Sequence, residues 1–346
     1  MIDTNKKEKI SIEVIKILCQ CIENLSEISI EDLQSPFQKA FYNNFLTTSS
    51  YSYSEIIKIK HNFLNLNGMK GQSFFENVAH ILSDGEKREY TAKKLGNLQI
   101  HKTQKEKINS LITKLSNSES TPDLGSENSE IFIEDSSQLL NAIDFSADVF
   151  IEESDSITSI ELKSVKPNSG EMRGEKQKIL EGKAALHKKF PQKEIHFFIG
   201  FPFDPTQDIT NPIGSDKSRF MASCINMNKF FSVSEVKLAD ELWNFLSDDE
   251  NTMQQLLDII NSISTTEFLD KFQYVMSNQN RTESKYPEIL KEWHLTSEVE
   301  LINHTKTIKS KTENDKRLTR IYNQSPFKKD GNYNKDRYNT LIQLIQ

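Results

Sequence analysis

Glycine is scarce in this chain. It occurs 11 times among 346 residues, about half its usual share. Neither GxxxxGK[ST] nor GxGxxG is present, which argues against phosphate-loop and dinucleotide-binding folds. Three cysteines, Cys19, Cys21 and Cys224, cannot build a disulfide framework, and Cys19 and Cys21 lack a second pair to complete a zinc site. No apolar run approaches the roughly 18 residues of a membrane-spanning helix. The stretch Met1-Ile2-Asp3-Thr4-Asn5-Lys6-Lys7-Glu8 lacks the basic-then-apolar plan of a signal peptide. The composition therefore predicts a reduced, cytoplasmic setting and no membrane partner. With 36% hydrophobic and 27% charged residues, the chain can bury a sizeable core and is not disordered.

Distribution says more than totals. Ten of the 11 glycines fall between Gly68 and Gly214, so tight turns should concentrate there and the flanks should be helical. The net charge of −7 hides sharp alternation. Residues 115–162 carry no basic residue and a net charge of −12, whereas 163–193 carry +6. The segments 86–114 and 301–346 are also basic, at +5 and +6. A carboxylate-rich stretch abutting lysines suits metal-dependent chemistry on phosphates. Each block taken alone reads equally as a solvated face.

Periodicity predicts helices at 8–34, at 73–82 and in most of 86–114, with a surface loop at 116–130. Ser73 and Glu76 form a capping-box pattern. From 131 the period shortens. Ile131-Phe-Ile-Glu, Asp148-Val-Phe-Ile-Glu152 and Ile157-Thr-Ser-Ile-Glu-Leu-Lys163 read as strands, the last two joined by a turn at 153–156. Residues 174–189 read as a helix, and 194–201 as a strand buried on both faces. After 230 the pattern is helical, ending in a polar, basic stretch with an apolar anchor at 341–345. The domain reading is a helical region at 1–67, a core at 68–230 and a helical region with a basic tail at 231–346.

Chemistry concentrates on Asp148, Glu161 and Lys163. With the turn tip at 154–155, Asp148 falls opposite Glu161 on the neighbouring strand, and cross-strand neighbours lie about 5 Å apart. Both carboxylates can then share one Mg²⁺. Lys163 shares the strand face of Glu161, while Leu162 points the other way into the core. Two acids, a cation and an ammonium at one spot are what phosphodiester hydrolysis needs, the lysine orienting or deprotonating the attacking water. Asp144 is the rival for Asp148, but the same register places it opposite Val165, away from this group.

Asp148…Glu161-Leu162-Lys163 resembles the PD-(D/E)XK nuclease motif. With Ser164–Ser169, Phe197–Pro205 and Glu241–Phe245, the stretch from about 70 to 250 is similar to type II restriction endonucleases of the MjaII/TdeIII kind. Ala147 stands where the superfamily's name would put a proline. The resemblance implies an α/β fold, a restriction-endonuclease-like mixed sheet flanked by helices, with helical N- and C-terminal regions. It also implies Mg²⁺ held by Asp148, Glu161, the Leu162 backbone carbonyl and the upstream Glu76, which reads equally as the capping partner of Ser73. The implied activity is cleavage of both strands of double-stranded DNA by a homodimer at a GGNCC-like site, leaving 5′-phosphate and 3′-hydroxyl ends. A cognate DNA methyltransferase would protect the host. Rival readings are a repair or junction-resolving nuclease of the same fold and a non-catalytic DNA-binding protein.

Lys166, Asn168, Arg173, Lys176, Lys178 and Lys217 are candidates for the DNA backbone, and Arg173 and Arg219 also for guanine. The seven histidines form no HxH, HExxH or HNH-like pattern, so His80 reads as a packed or exposed residue. Met172 reads as core.

Overall fold

The alternating pattern at 145–162 becomes an antiparallel hairpin at the heart of a mixed sheet. The computed structural model describes residues 1–23, 37, 40, 69–91, 97–133, 135–163, 169–204 and 216–345. They fall into two compact units, one of 1–70 with 251–346 and one of 71–250. Helix α1 (Thr4–Glu23) opens the first. The second takes in α2 (Met69–Ser83), β1 (Glu86–Tyr90), β2 (Gln99–His101), α3 (Lys102–Ser116), α4 (Leu124–Ile131) and β3 (Leu139–Asn141). It continues through β4 (Phe145–Glu152), β5 (Ser156–Leu162), α5 (Ser169–Lys189), β6 (Glu194–Phe201), α6 (Lys217–Ser223), β7 (Val236–Leu238) and α7 (Asp240–Ser247).

The main sheet has the order β1-β4-β5-β6-β7, and β2 with β3 forms a small second ladder. In the β4–β5 hairpin, Val149 pairs with Ile160 and Glu152 with Ile157, the register counted from the turn. The pair β5–β6 is parallel, with Ile157 opposite Ile195 and Leu162 opposite Gly200, and β7 continues in parallel beside β6. A parallel pair needs a long crossover, which α5 supplies. Alternation then sorts the side chains. Glu161, Phe197 and Phe145 face α5, where Gly182 lies close to both phenylalanine rings. Leu162, Ile160 and Gly200 face α7, with Leu242 against Gly200. Helix α2 lies with α7, the Phe75 and Trp243 rings being 6.2 Å apart. Beyond α5, Leu180, Ala184 and Ala185 join Ile108 and Ile112 of α3 and Ile131 of α4 in one apolar cluster.

Three secondary-structure expectations fail, each for a physical reason. Residues 86–90, expected to be helical, form the edge strand β1, because pairing with β4 outweighs the helix preference of Glu-Lys-Arg-Glu-Tyr. Its charges suit a sheet edge. Ile131 ends a helix rather than starting a strand, and that helix replaces part of the expected loop. Asp123 accepts the Ser126 N–H and starts α4. Val236–Leu238, expected within a helical stretch, is the fifth strand, too short to show an alternation.

In the first unit, α1 buries Ile10, Val14, Ile15 and Leu18, on the expected helical stripe. The chain continues through α8 (Thr252–Ile263), α9 (Phe268–Met276), α10 (Lys285–Glu292), α11 (Thr296–Asn303), α12 (Thr305–Thr312), α13 (Lys316–Tyr322) and α14 (Lys335–Ile342). Glu8 of α1 caps α11 by accepting from Ser297 N–H and the Thr296 and Ser297 hydroxyls. The expected apolar anchor forms, with Leu341 buried against Leu301 and Ile308. No helix among the described residues is long and apolar enough to cross a membrane.

Candidate active site

The hairpin register and one irregularity beside it build the site. Between the pairs Glu86–Phe150 and Arg88–Ala147 the β1–β4 register slips, so Asp148 and Val149 together face Lys87 alone. Such a bulge re-aims side chains. Asp148 is buried, and its Oδ2 accepts the Leu162 N–H at 2.9 Å. Its Oδ1 lies 3.4 Å from Lys87 Nζ, which is also 3.0 Å from Glu76 Oε2 on α2. One turn along α2, His80 Nε2 lies 2.6 Å from the Asp148 carbonyl oxygen. A carbonyl only accepts, so His80 carries its proton on Nε2.

On the other side of Asp148, Glu161 Oε1 lies 3.3 Å from both Lys163 Nζ and Lys178 Nζ. Glu175 of α5 closes the ring, with Oε1 3.1 Å from Lys163 and Oε2 3.4 Å from Lys178. Glu171 adds a third carboxylate to Lys163 at 3.3 Å. Acids and ammonium groups thus alternate around the ring of Glu161, Lys163, Glu175 and Lys178.

This crowding sets the proton affinities. Burial pushes the Asp148 carboxyl above its ordinary value and the Glu76 charge adds to it, against the Leu162 N–H and Lys87. Burial likewise raises Glu161, reinforced by repulsion from Asp148 and offset by Lys178 and Lys163. For Lys163, burial opposes the charge, but Glu161, Glu175 and Glu171 outweigh it and hold the ammonium above its ordinary range. Lys87 is also raised, its burial overcome by Glu76 and Asp148.

The oxygen donors match a hard divalent ion in kind, and two buried carboxylates that resist ionising side by side are what a cation would relieve. No group of three or more His, Cys, Asp and Glu among the described residues is already gathered around one point. Glu76 meets Asp148 through the Lys87 ammonium.

Not every expected residue joins the site. Lys176 must be corrected. It is fully buried, 2.5 Å from Glu127 and 2.7 Å from Glu235, and cannot meet DNA. Lys178 turns into the carboxylate ring. Arg173 is exposed on α5. Lys217 pairs with Glu241 at 2.7 Å and Arg219 with Asp204 at 2.6 Å. Asp144 lies exposed before β4, whereas Met172 and Cys224 are buried. Lys166, Asn168 and Val165 lie outside the described residues. Lys87, Glu171 and Glu175 were missed because they belong to no motif. The helical spacing of Glu171, Glu175 and Lys178, one face of a helix just after Lys163, was the available signal.

The sequence comparisons identify the family. The model of the type II restriction endonuclease HinfI family matches residues 2–264. The chain belongs to that family. It is also similar to the type II restriction enzyme MjaII of Methanocaldococcus jannaschii, with 39% identity across 98% of this chain and 97% of the relative. No solved structure matches it. The endonuclease is therefore a site-specific deoxyribonuclease, and the repair and non-catalytic readings give way to a restriction enzyme. Restriction enzymes of this type generally work with divalent metal ions and act on DNA. The five-stranded mixed sheet flanked by helices is consistent with a restriction-endonuclease-like fold.

Proposed function

We propose that the endonuclease is a cytoplasmic homodimer that uses Mg²⁺ to cut both strands of a GGNCC-like site, leaving 5′-phosphate and 3′-hydroxyl ends. A cognate methyltransferase would protect host DNA. The observation that supports the reading is the β4–β5 hairpin, in which Asp148 accepts the Leu162 N–H beside Glu161, with Lys163 held next to Glu161.

Asp148, Glu161, the Leu162 carbonyl and Glu76 are the groups that would hold Mg²⁺, which when bound polarises the phosphate and lowers the pKa of water. The protein's own contribution is positional. Leu162 N–H pins Asp148 across the hairpin, and His80 fixes the backbone of the same residue. Lys163, kept protonated by three carboxylates, orients the attacking water and offsets charge that grows on the phosphate oxygens, and it is a poor proton acceptor at neutral pH. Exposed Arg173 would contact the DNA backbone. A two-fold dimer matches a palindromic site and delivers one such site to each strand.

The test is digestion of a plasmid carrying GGNCC sites by the purified full-length protein, with and without Mg²⁺. Discrete bands that ligate again, lost with EDTA and with Lys163→Ala, are expected. Metal-independent cutting, or bands at unrelated sequences, would overturn the corresponding part of the proposal. Light scattering reads the dimer directly.

A further inference from the structure

We propose that Lys87 is a positioning residue of the active site: its ammonium holds Glu76 and Asp148 together in the metal-free enzyme and is displaced when a divalent ion takes its place. This rests on the reading of Asp148 and Glu76 as metal ligands.

Three observations lead there. The first is placement. Lys87 stands at the one register slip of the β1–β4 ladder, opposite the two residues Asp148 and Val149. A bulge at that point directs its side chain to the carboxylates. The second is geometry. Nζ lies 3.0 Å from Glu76 Oε2 and 3.4 Å from Asp148 Oδ1, so one ammonium bridges groups from a helix and a strand. Lys163 and Lys178 are engaged by Glu161 and Glu175 instead.

The third is an asymmetry of exposure. The Glu76 and Asp148 side chains are 14% and 12% exposed, whereas that of Lys87 is 43% exposed. The carboxylates cannot turn to water to relieve their repulsion. The ammonium can, because it sits on a flexible four-carbon stem on the edge strand. An ion bound by Asp148 and Glu76 would repel it at short range and send it outward. Lys87 thus keeps the ligands assembled before the metal arrives, and it weakens the metal's hold by competing for the same oxygens.

Calorimetric titration of the full-length protein with Mn²⁺, without DNA, tests this in the wild type, Lys87→Met, Lys87→Arg and Asp148→Asn. Removing one unit charge a few Å from a divalent ion near a surface should tighten binding by about tenfold. Lys87→Met should show that gain, with a lower Tm than wild type when metal-free and a larger rise in Tm on adding Mn²⁺. Lys87→Arg, which keeps the charge, should stay near wild type. Asp148→Asn should lose binding. Unchanged or weaker Mn²⁺ binding by Lys87→Met, with Asp148→Asn still defective, overturns the role of Lys87 alone. Wild-type binding by Asp148→Asn overturns the ligand reading and the proposal with it. Should Lys87→Met fail to fold, Lys87→Gln carries the same comparison.

Discussion

Asp148 and Leu162 are tied across the hairpin, the backbone N–H of Leu162 donating to Asp148 Oδ2 at 2.9 Å. An asparagine could accept the same bond without the buried charge. Asp148→Asn should therefore abolish cleavage yet raise Tm at neutral pH. Because the Asp148 carboxyl is raised in the fold, the protonated carboxyl's advantage is complete below the ordinary carboxylate range. It disappears as pH rises through the shifted value. The excess Tm of the variant should thus be largest near pH 7 and shrink towards pH 4, as paired melting curves would record. An active or less stable variant at pH 7 would contradict the assignment.

Lys163 makes the complementary case. Its three carboxylate partners keep it charged, so the role expected of it is electrostatic. Lys163→Met should lower kcat by about 10²–10³-fold while KM for a cognate oligonucleotide changes little. The wild-type pH profile should show no fall between pH 8 and 10 from loss of this proton. A kcat that collapses across that interval in the wild type and is flat in Lys163→Arg would assign the lysine a proton-transfer role instead.

Two buried lysines on the same face of α5 should respond in opposite directions. Lys176 is compensated by Glu127 and Glu235, and Lys176→Met strands both carboxylates. The expected loss is about 3–5 kcal/mol. Lys183 is fully buried, and its Nζ makes no hydrogen bond. Burial, with Lys176 adding to it, pushes its pKa down to about 8 from 10.5. For a lysine lowered in the fold, the penalty is full below pH 8 and is released as pH climbs towards 10.5. Lys183→Met should melt higher than wild type at pH 7, and that excess should be much smaller at pH 10. Equal Tm shifts at both pH values would show that the ammonium carries no penalty.

The hairpin of the candidate site was legible because both of its signals are local. A period of two and a turn at 154–155 suffice to set the register that brings Asp148 to Glu161. The apolar run of β6 was legible for the same reason, since a strand covered on both faces needs no polar alternation. What the residues alone did not disclose depends on partners distant in sequence. Glu86–Tyr90 becomes a strand only because β4 offers it an edge, and Lys87 enters the site only through that pairing and its bulge. Lys176 looks like one more lysine in a basic run until Glu127 and Glu235, from two other parts of the chain, close over it.

Gly200 links the core to the chemistry. It pairs with Leu162 on the parallel neighbour strand, and its carbonyl accepts the Lys163 N–H at 2.8 Å. A Cβ there would come within 2.9 Å of Leu162 Cδ2 and 3.0 Å of both Ile160 Cγ2 and Leu242 Cδ1. All three side chains are buried, and a dense core leaves them little room to retreat. Gly200→Ala should cost about 1–3 kcal/mol. It should also slow cleavage, because the displaced Leu162 lies between Glu161 and Lys163 in the chain. Shortening the obstructing side chain separates the two effects. In a double-mutant cycle, Leu162→Val should be less damaging in the Gly200→Ala background than in wild type, with a coupling of about 0.5 kcal/mol or more in Tm-derived stability. Part of the lost kcat should return in the double variant. Strict additivity of the two changes would mean that the added methyl is absorbed elsewhere and that β6 does not press on the catalytic strand.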